Sequence, residues 1–293
     1  MKEIVVISGK GGTGKTSVTA SFAVLGGKDV IVADCDVDAA DMHLLMKPDF
    51  ELSEEFFSGE LAVIEQEDCI QCGKCKDVCR FDAIDVINEK YIVNPLNCEG
   101  CGYCSRVCPT DTIINIDLNV GHWYISNIRT DSKMVHAKLA IGADNSGKLV
   151  AQVKNKAKEL AEQLNKKYII VDGSPGVGCP VVSSLSGASY VVLVTEPTVS
   201  GLHDLKRVYE LVKKFNLKAG CIINKYDLNK NVSAEIEKFL ETETIDKLAN
   251  LPYDKAFTEA MTEGLTIVEY KENGIKKILE KTWKNIIEIV NKK

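Results

Sequence analysis

Ile4-Val5-Val6-Ile7-Ser8-Gly9-Lys10-Gly11-Gly12-Thr13-Gly14-Lys15-Thr16 decides the fold. A continuous apolar, β-branched run ends in a glycine-rich loop, and the residues from Lys15 to about Leu25 have helical character. The order is therefore strand, phosphate loop, helix. The glycines let backbone N–H groups turn inward on phosphates, Lys15 supplies a point charge to the β/γ oxygens, and the Thr16 hydroxyl is available to Mg²⁺. Gly11, Gly12, Thr13, Gly14, Lys15, Thr16 and Ser17 form the expected nucleotide-binding loop.

Working outward, the same pattern recurs. Asp29-Val30-Ile31-Val32-Ala33 delivers Asp34-Cys35-Asp36, and Tyr168-Ile169-Ile170-Val171-Asp172 ends in Gly173-Ser174-Pro175-Gly176-Val177-Gly178-Cys179. Tyr190-Val191-Val192-Leu193-Val194 precedes Thr195-Glu196-Pro197 and a helix from about Gly201, while Cys221-Ile222-Ile223 leads to Asn224-Lys225-Tyr226-Asp227. Strands alternating with helices predict an α/β fold with a doubly wound, mostly parallel sheet, whose ligands bind beyond the carboxyl ends of the strands. Asp38 and Asp41 are expected to cap the helix that follows them.

Eight of the eleven cysteines obey a second rule, Cys69-x2-Cys72-x2-Cys75-x3-Cys79 and Cys98-x2-Cys101-x2-Cys104-x3-Cys108. Three thiolates at x2 spacing wrap three corners of an iron–sulfur cubane, and the chain carries the fourth to the other cluster, as in bacterial two-cluster ferredoxins. The expected [4Fe–4S] sites are Cys69, Cys72, Cys75 with Cys108, and Cys98, Cys101, Cys104 with Cys79. The runs form a repeat that also aligns Phe81-Asp82-Ala83-Ile84 with Thr110-Asp111-Thr112-Ile113, although Cys108 is followed by Pro109 and Cys79 by Arg80. Zinc sites use paired C-x2-4-C or Cys/His spacings, not this order. Disulfides suit short secreted domains, whereas Met1-Lys2-Glu3-Ile4 shows no signal segment, so a reducing, cytoplasmic setting is expected.

Because strands of one β/α series lie on both sides of the cysteines, the chain is expected to hold a P-loop nucleotide-binding domain over 1–59 and 121–293, with an inserted small α+β ferredoxin domain over 60–120. His122-Trp123-Tyr124-Ile125-Ser126 reads as a returning strand, residues 147–166 as a helix, and Asn145-Ser146-Gly147-Lys148 as its cap in preference to a phosphate contact. In the last segment Ile275, Ile278, Leu279, Trp283, Ile286, Ile287 and Val290 share one face opposite lysines. Glu280 and Glu288 among those lysines favour packing on the sheet over a membrane surface. Cys35 and Cys221 adjoin strands and are expected in the core, and His43, His122, His136 and His203 are too scattered to suggest a site.

With 293 residues, 45% apolar content and a net charge of −6, the chain can bury one core plus a small module, and no general nucleic-acid-binding surface is expected. No apolar run approaches the roughly 20 residues of a transmembrane helix, so a soluble protein is expected.

Lys10, directly after the first glycine of the loop, is the mark of the deviant Walker A motif, and the chain resembles the MinD/ParA/Mrp superfamily of P-loop ATPases, related to the nitrogenase iron protein. The full pattern resembles the members that carry an inserted ferredoxin. The resemblance implies ATP and Mg²⁺ as ligands and a homodimer closed across the nucleotide, with Lys10 reaching the facing subunit. It implies that Asp36 positions the attacking water, that Asp34 and Asp172 lie beside Mg²⁺, and that Gly173–Gly178 senses the γ-phosphate. Asn224 matches the residue that reads adenine, while Asp227 sits where GTPases hold guanine; adenine is favoured because the deviant loop is the more specific signal. Cys179 matches a cluster-ligating position of the iron protein, but no second such cysteine follows, so a buried loop thiol is expected. The leading expectation is an ATPase coupling nucleotide-driven dimer rearrangement to electron transfer through two clusters to a redox or iron–sulfur acceptor protein. The alternatives are a cluster carrier or assembly ATPase, and a redox-sensing positioning ATPase that binds lipid or DNA with ATP. An amidotransferase is disfavoured.

Overall fold

The apolar runs become the middle of a nine-stranded sheet. The computed structural model describes residues 1–143, 147–272 and 274–292, so Asn145 and Ser146 of the expected cap lie outside the described residues. In chain order the strands are β1 (Lys2–Ile7), β2 (Val30–Asp34), β3 (Leu52–Ile64), β4 (Ile84–Ile87), β5 (Lys90–Val93), β6 (Ile113–Ile128), β7 (Ser132–Leu139), β8 (Tyr168–Asp172), β9 (Tyr190–Thr195), β10 (Ala219–Asn224) and β11 (Asp246–Leu251). The helices are α1 (Lys15–Gly26), α2 (Met42–Met46), α3 (Lys74–Val78), α4 (Tyr103–Val107), α5 (Lys148–Gln163), α6 (Cys179–Leu185), α7 (Val199–Lys214), α8 (Lys230–Thr242), α9 (Ala256–Thr262), α10 (Ile267–Tyr270) and α11 (Gly274–Asn291).

The sheet order is β11-β10-β9-β1-β8-β2-β7-β6-β3. β8 lies between β1 and β2, parallel to both, in a register that sets Asp172 opposite Val6 on one side and Asp34 on the other. β9, β10 and β11 extend the parallel order beyond β1, and β7 adds parallel to β2. Strands buried on both faces need apolar side chains at every position, and β2, β8, β9 and β10 are buried throughout. β3 and β7 were not foreseen. β3 carries Glu54, Glu55 and Glu60 and is largely exposed at the sheet edge, so its sequence lacks the apolar run that marked its neighbours.

The chain divides into two compact units. The first comprises Met1–Glu54, His122–Leu139 and Asn145–Lys293; the second comprises Glu55–Gly121 with Ala140–Asp144. In the first, α11 buries Ile275, Leu279, Trp283, Ile286 and Val290 in a core shared with Ile4, Phe22 and Tyr190. Trp283 stacks on Phe22 with ring centroids 5.5 Å apart. Its apolar face is thus covered by the fold, and truncating Trp283 to alanine carries the ~3–5 kcal/mol cost of emptying an aromatic core position. Among the described residues no helix is long and apolar enough to cross a membrane.

In the second unit, β4 and β5 form an antiparallel pair, with Ile84 opposite Val93 and Ile87 opposite Lys90. Ala62, Ile64, Cys75, Ile84 and Ile113 are its buried centre, with Cys69, Cys79, Cys98, Cys104 and Cys108 packed against them. The two short helices α3 and α4 start at glycines in the left-handed region, Gly73 (φ 77°) and Gly102 (φ 67°). Each glycine immediately follows the second cysteine of its run, so the chain turns sharply there without a Cβ in the way.

Candidate functional site

The phosphate loop joins β1 to α1, with Gly12 at φ 78° and Gly14 at φ 89°. Gly14 serves a second purpose, since a Cβ there would run into the amide of Asn224. That amide donates to the carbonyl of Thr13 over 2.8 Å. Thr13 itself is buried, yet its Oγ1 has no hydrogen-bond partner. An orphaned hydroxyl inside a loop of inward-turned amides fits a ligand with acceptor oxygens.

Three carboxylates meet one ammonium at the carboxyl edge of β2 and β8. Lys15 Nζ lies 2.8 Å from Asp172 Oδ1 and 3.1 Å from Asp36 Oδ2. Asp172 also accepts hydrogen bonds of 2.8 Å from Thr16 Oγ1 and Thr19 Oγ1, and Asp34 Oδ1 accepts from the Asp36 amide at 3.2 Å. Burial pulls the Lys15 ammonium down, but Asp172 and Asp36 outweigh it and hold the group above the ordinary lysine range. Burial, then the charge of Asp172, pushes the Asp34 carboxyl well up. Burial likewise raises Asp36 against the pull of Lys15. The pocket therefore holds more negative charge than Lys15 balances, with oxygen donors only, which is the chemistry of a hard divalent cation.

The loops after β2 and β8 are tied together. The Cys35 amide donates to the Asp172 carbonyl at 2.8 Å, Ser174 Oγ donates to the Cys35 carbonyl at 2.7 Å, and the Gly176 amide donates to the Ser8 carbonyl at 2.9 Å. The segments that hold Asp36, Asp172 and the phosphate loop form one hydrogen-bonded network.

Lys10 is held by residues that the sequence did not single out. Its Nζ lies 2.8 Å from Glu196 Oε1 and donates to Thr198 Oγ1 (3.2 Å) and Ser200 Oγ (3.0 Å). Glu196 also binds Lys225 through Oε2 at 3.0 Å, and Lys225 reaches the Gly12 carbonyl at 3.4 Å. Burial opposes ionisation of Glu196, but Lys10 and Lys225 hold its carboxyl below the usual range. Asp227 accepts from the Tyr253 amide at 2.7 Å, and Ser17 Oγ faces Met261 Sδ at 3.7 Å.

Two expectations are corrected. Asp41 occupies the N-cap of α2 without a side-chain cap bond, because its backbone is helical (φ −94°, ψ −9°) rather than extended. Cys179 is exposed, not a buried loop thiol, because it opens α6 at its first position. Cys35 and Cys221 are buried as expected. His136, by contrast, sits in a packed cluster with Ser126 (2.8 Å) and Tyr124.

In the second unit the eight cysteines ring two cavities. One is lined by Cys69, Cys72, Cys75 and Cys108, the other by Cys79, Cys98, Cys101 and Cys104. Among the described residues no three His, Cys, Asp or Glu side chains gather around a single-ion position. The thiols stand around a space instead of converging on a point.

Comparisons with known proteins place this geometry. The family model of the CobQ/CobB/MinD/ParA nucleotide binding domain matches residues 4–267. An uncharacterized protein of Methanocaldococcus jannaschii, MJ0578, is 37% identical over 229 residues, covering 78% of this chain and 79% of the relative. The septum site-determining protein MinD of a Synechocystis species is 24% identical over 274 residues, covering 90% of this chain and 81% of that protein. Among solved structures, MinD of Pyrococcus horikoshii complexed with Mg-ADP aligns with a TM-score of 0.60 at 22% identity, covering 99% of this chain and 97% of the other. At that identity the likeness is one of fold, a mostly parallel α/β P-loop sheet. Phosphate loop, carboxylate cluster and a family match that spans most of the chain agree: the protein belongs to the CobQ/CobB/MinD/ParA family of nucleotide-binding P-loop proteins.

Proposed function

We propose that the protein binds and hydrolyses ATP with Mg²⁺ as a nucleotide-dependent homodimer, and couples that cycle to electron transfer through two [4Fe–4S] clusters held by its second unit (55–121 with 140–144). The observation that carries the redox half is the division of eight cysteines into two cavities of four, the same division that the spacing requires. Cys69, Cys72, Cys75 and Cys108 would hold one cluster and Cys79, Cys98, Cys101 and Cys104 the other; only thiol sulfur is offered at the corners, the donor that iron–sulfur clusters take. When bound, such clusters supply one-electron carriers of low potential.

On the nucleotide side, the loop amides and Lys15 would cradle the phosphates, Thr16 and Asp172 would hold Mg²⁺ with Asp34 supporting them, and Asp36 would orient the attacking water and take its proton. Lys10 leaves Glu196 to reach the facing subunit's nucleotide. Asn224 braces the loop through the Thr13 carbonyl and is the residue proposed to read adenine. The partner is a redox or iron–sulfur acceptor protein, and the expected setting is cytoplasmic. Cys179, exposed at the start of α6, is available as an extra ligand.

The test is anaerobic purification with iron and acid-labile sulfide counts, followed by reduction kinetics with ATP, ADP and neither. About eight irons per chain and rates that depend on nucleotide support the proposal; reduction indifferent to nucleotide overturns the coupling.

A second reading is favoured by the relatives named septum site-determining protein MinD: a positioning ATPase in which the clusters act as a redox sensor. It predicts ATP-dependent binding to lipid vesicles or DNA that changes with cluster oxidation.

A further inference from the structure

The internal repeat makes the two cavities comparable position by position, and they are not equivalent. An offset of 29 residues, from Cys69 to Cys98, also sets Cys79 against Cys108, Ala83 against Thr112, Phe81 against Thr110 and Lys74 against Tyr103. Cys108 Sγ lies 3.4 Å from Thr112 Oγ1 and 3.7 Å from Thr110 Oγ1, and the two hydroxyls are 3.4 Å apart. Thr112 is 3% exposed, so water does not compete for its hydroxyl. Cys79, the counterpart, receives the Ala83 amide at 3.3 Å, and neither Ala83 nor Phe81 has a hydroxyl to add.

Charge breaks the symmetry in the same direction. Lys74 lines the Cys108 cavity, which has no carboxylate in its wall, whereas Glu99 lines the Cys79 cavity, which has no cation. Both groups are exposed and therefore screened; the buried hydroxyl is the stronger asymmetry.

A cysteine that ligates iron carries no S–H, so between Thr112 and Cys108 the hydroxyl must be the donor. An O–H···S bond draws charge from the sulfur and favours the state with the extra electron; hydrogen bonds to the sulfurs and nearby charge are the protein's means of setting a cluster's potential. We propose that Thr112, assisted by Thr110, makes the Cys69/Cys72/Cys75/Cys108 site the more positive of the two. The first electron taken from an external one-electron reductant then resides at that site, and the Cys79/Cys98/Cys101/Cys104 site is the stronger reductant. This rests on the cluster reading above and fixes the internal direction of transfer.

The experiment is an anaerobic dithionite titration of the full-length protein followed by electron paramagnetic resonance, with iron and sulfide counted on each sample. The wild type should show two one-electron waves. Thr112→Val keeps the shape and removes the donor; it should lower the reduction equilibrium of the upper wave about tenfold, close to 59 mV for one electron, and leave the lower wave in place. Thr112→Ser should restore the upper wave, and Ala83→Ser, which introduces a hydroxyl at the counterpart position, should raise the lower one. A single wild-type wave, a lower wave that moves with Thr112→Val, or no movement in either threonine or alanine variant while iron is retained overturns the inference and leaves the cluster reading intact. Wild-type protein that takes up no iron and sulfide on anaerobic reconstitution overturns the cluster reading and this inference with it. If Thr112→Val loses iron, the Ala83→Ser wave decides.

Discussion

Lys10 and Glu196 form an ion pair of 2.8 Å within one chain, and the same carboxylate holds Lys225 at 3.0 Å. A lysine proposed to serve a neighbouring subunit is thus tied at rest to its own. Two partly exposed pairs are worth about 1 kcal/mol together, so Glu196→Gln should cost little stability. The same change should tighten ATP-dependent self-association by up to ~5-fold, because the tie no longer has to break. Sedimentation with and without ATP measures it; association identical to wild type would show that Lys10 stays on Glu196.

Lys15→Ala should abolish nucleotide binding and also weaken the fold. Removing one member of a buried ion pair costs about 3–5 kcal/mol, and here Asp34, Asp36 and Asp172 lose their counter-charge together. Burial already raises the Asp34 and Asp36 carboxyls, and without the Lys15 charge that restrains them both bind protons more tightly folded than unfolded, so the variant's stability falls as pH rises through the window above the ordinary carboxylate value. Melting curves at pH 5.5 and 8 should therefore show the larger deficit against wild type at pH 8.

Asn224→Ala separates bracing from base reading. The Asn224 amide holds the Thr13 carbonyl from a buried position, and losing such a bond costs about 1–3 kcal/mol. Affinity for ATP and for inorganic tripolyphosphate should fall together by roughly tenfold or more. A loss confined to ATP would assign Asn224 to the base alone.

Acid should weaken the contact between Arg129 and Glu269. Burial works against ionisation, but the Arg129 guanidinium and Thr266 hold the Glu269 carboxyl down at about 2. A depressed folded value means stability fully present above the unfolded value near 4.5 and lost as pH falls from there toward 2. With both side chains partly exposed, the pair contributes about 1 kcal/mol. Urea unfolding should show Glu269→Gln less stable than wild type at pH 7, with the gap reduced to about half or less at pH 3 and nearly closed by pH 2.

What the chain disclosed early followed from burial on both faces. β1, β2, β8, β9 and β10 are short apolar runs ending in polar loops, a pattern few other structures produce; Asp34, Asp36 and Asp172 were readable because they lie at or just past the ends of such runs, and Lys15 because it follows the glycine-rich loop after β1. Glu196 closes one too, after Thr195, but a lone carboxylate at a strand end does not reveal that two lysines will fold back on it. Thr19 was hidden inside a helix, where its hydroxyl serves Asp172 across 153 residues of sequence. β3 was missed because an edge strand that is largely exposed needs no apolar alternation. Cys179 was misjudged because its exposure depends on α6 beginning at that residue, a boundary that spacing does not fix.

The position of β8 between β1 and β2 sets an order on synthesis. As the chain leaves the ribosome, the phosphate loop and Asp36 emerge first, but β1 and β2 are not neighbours in the sheet, and the strand that pairs with both comes only with residues 168–172. By then residues 55–121 have already been made, and domains generally fold as units, earlier segments first. The partner that Lys15, Thr16 and Thr19 share in Asp172 is therefore made only after the cysteine-bearing segment, so the second unit is complete in sequence before the carboxylate cluster is.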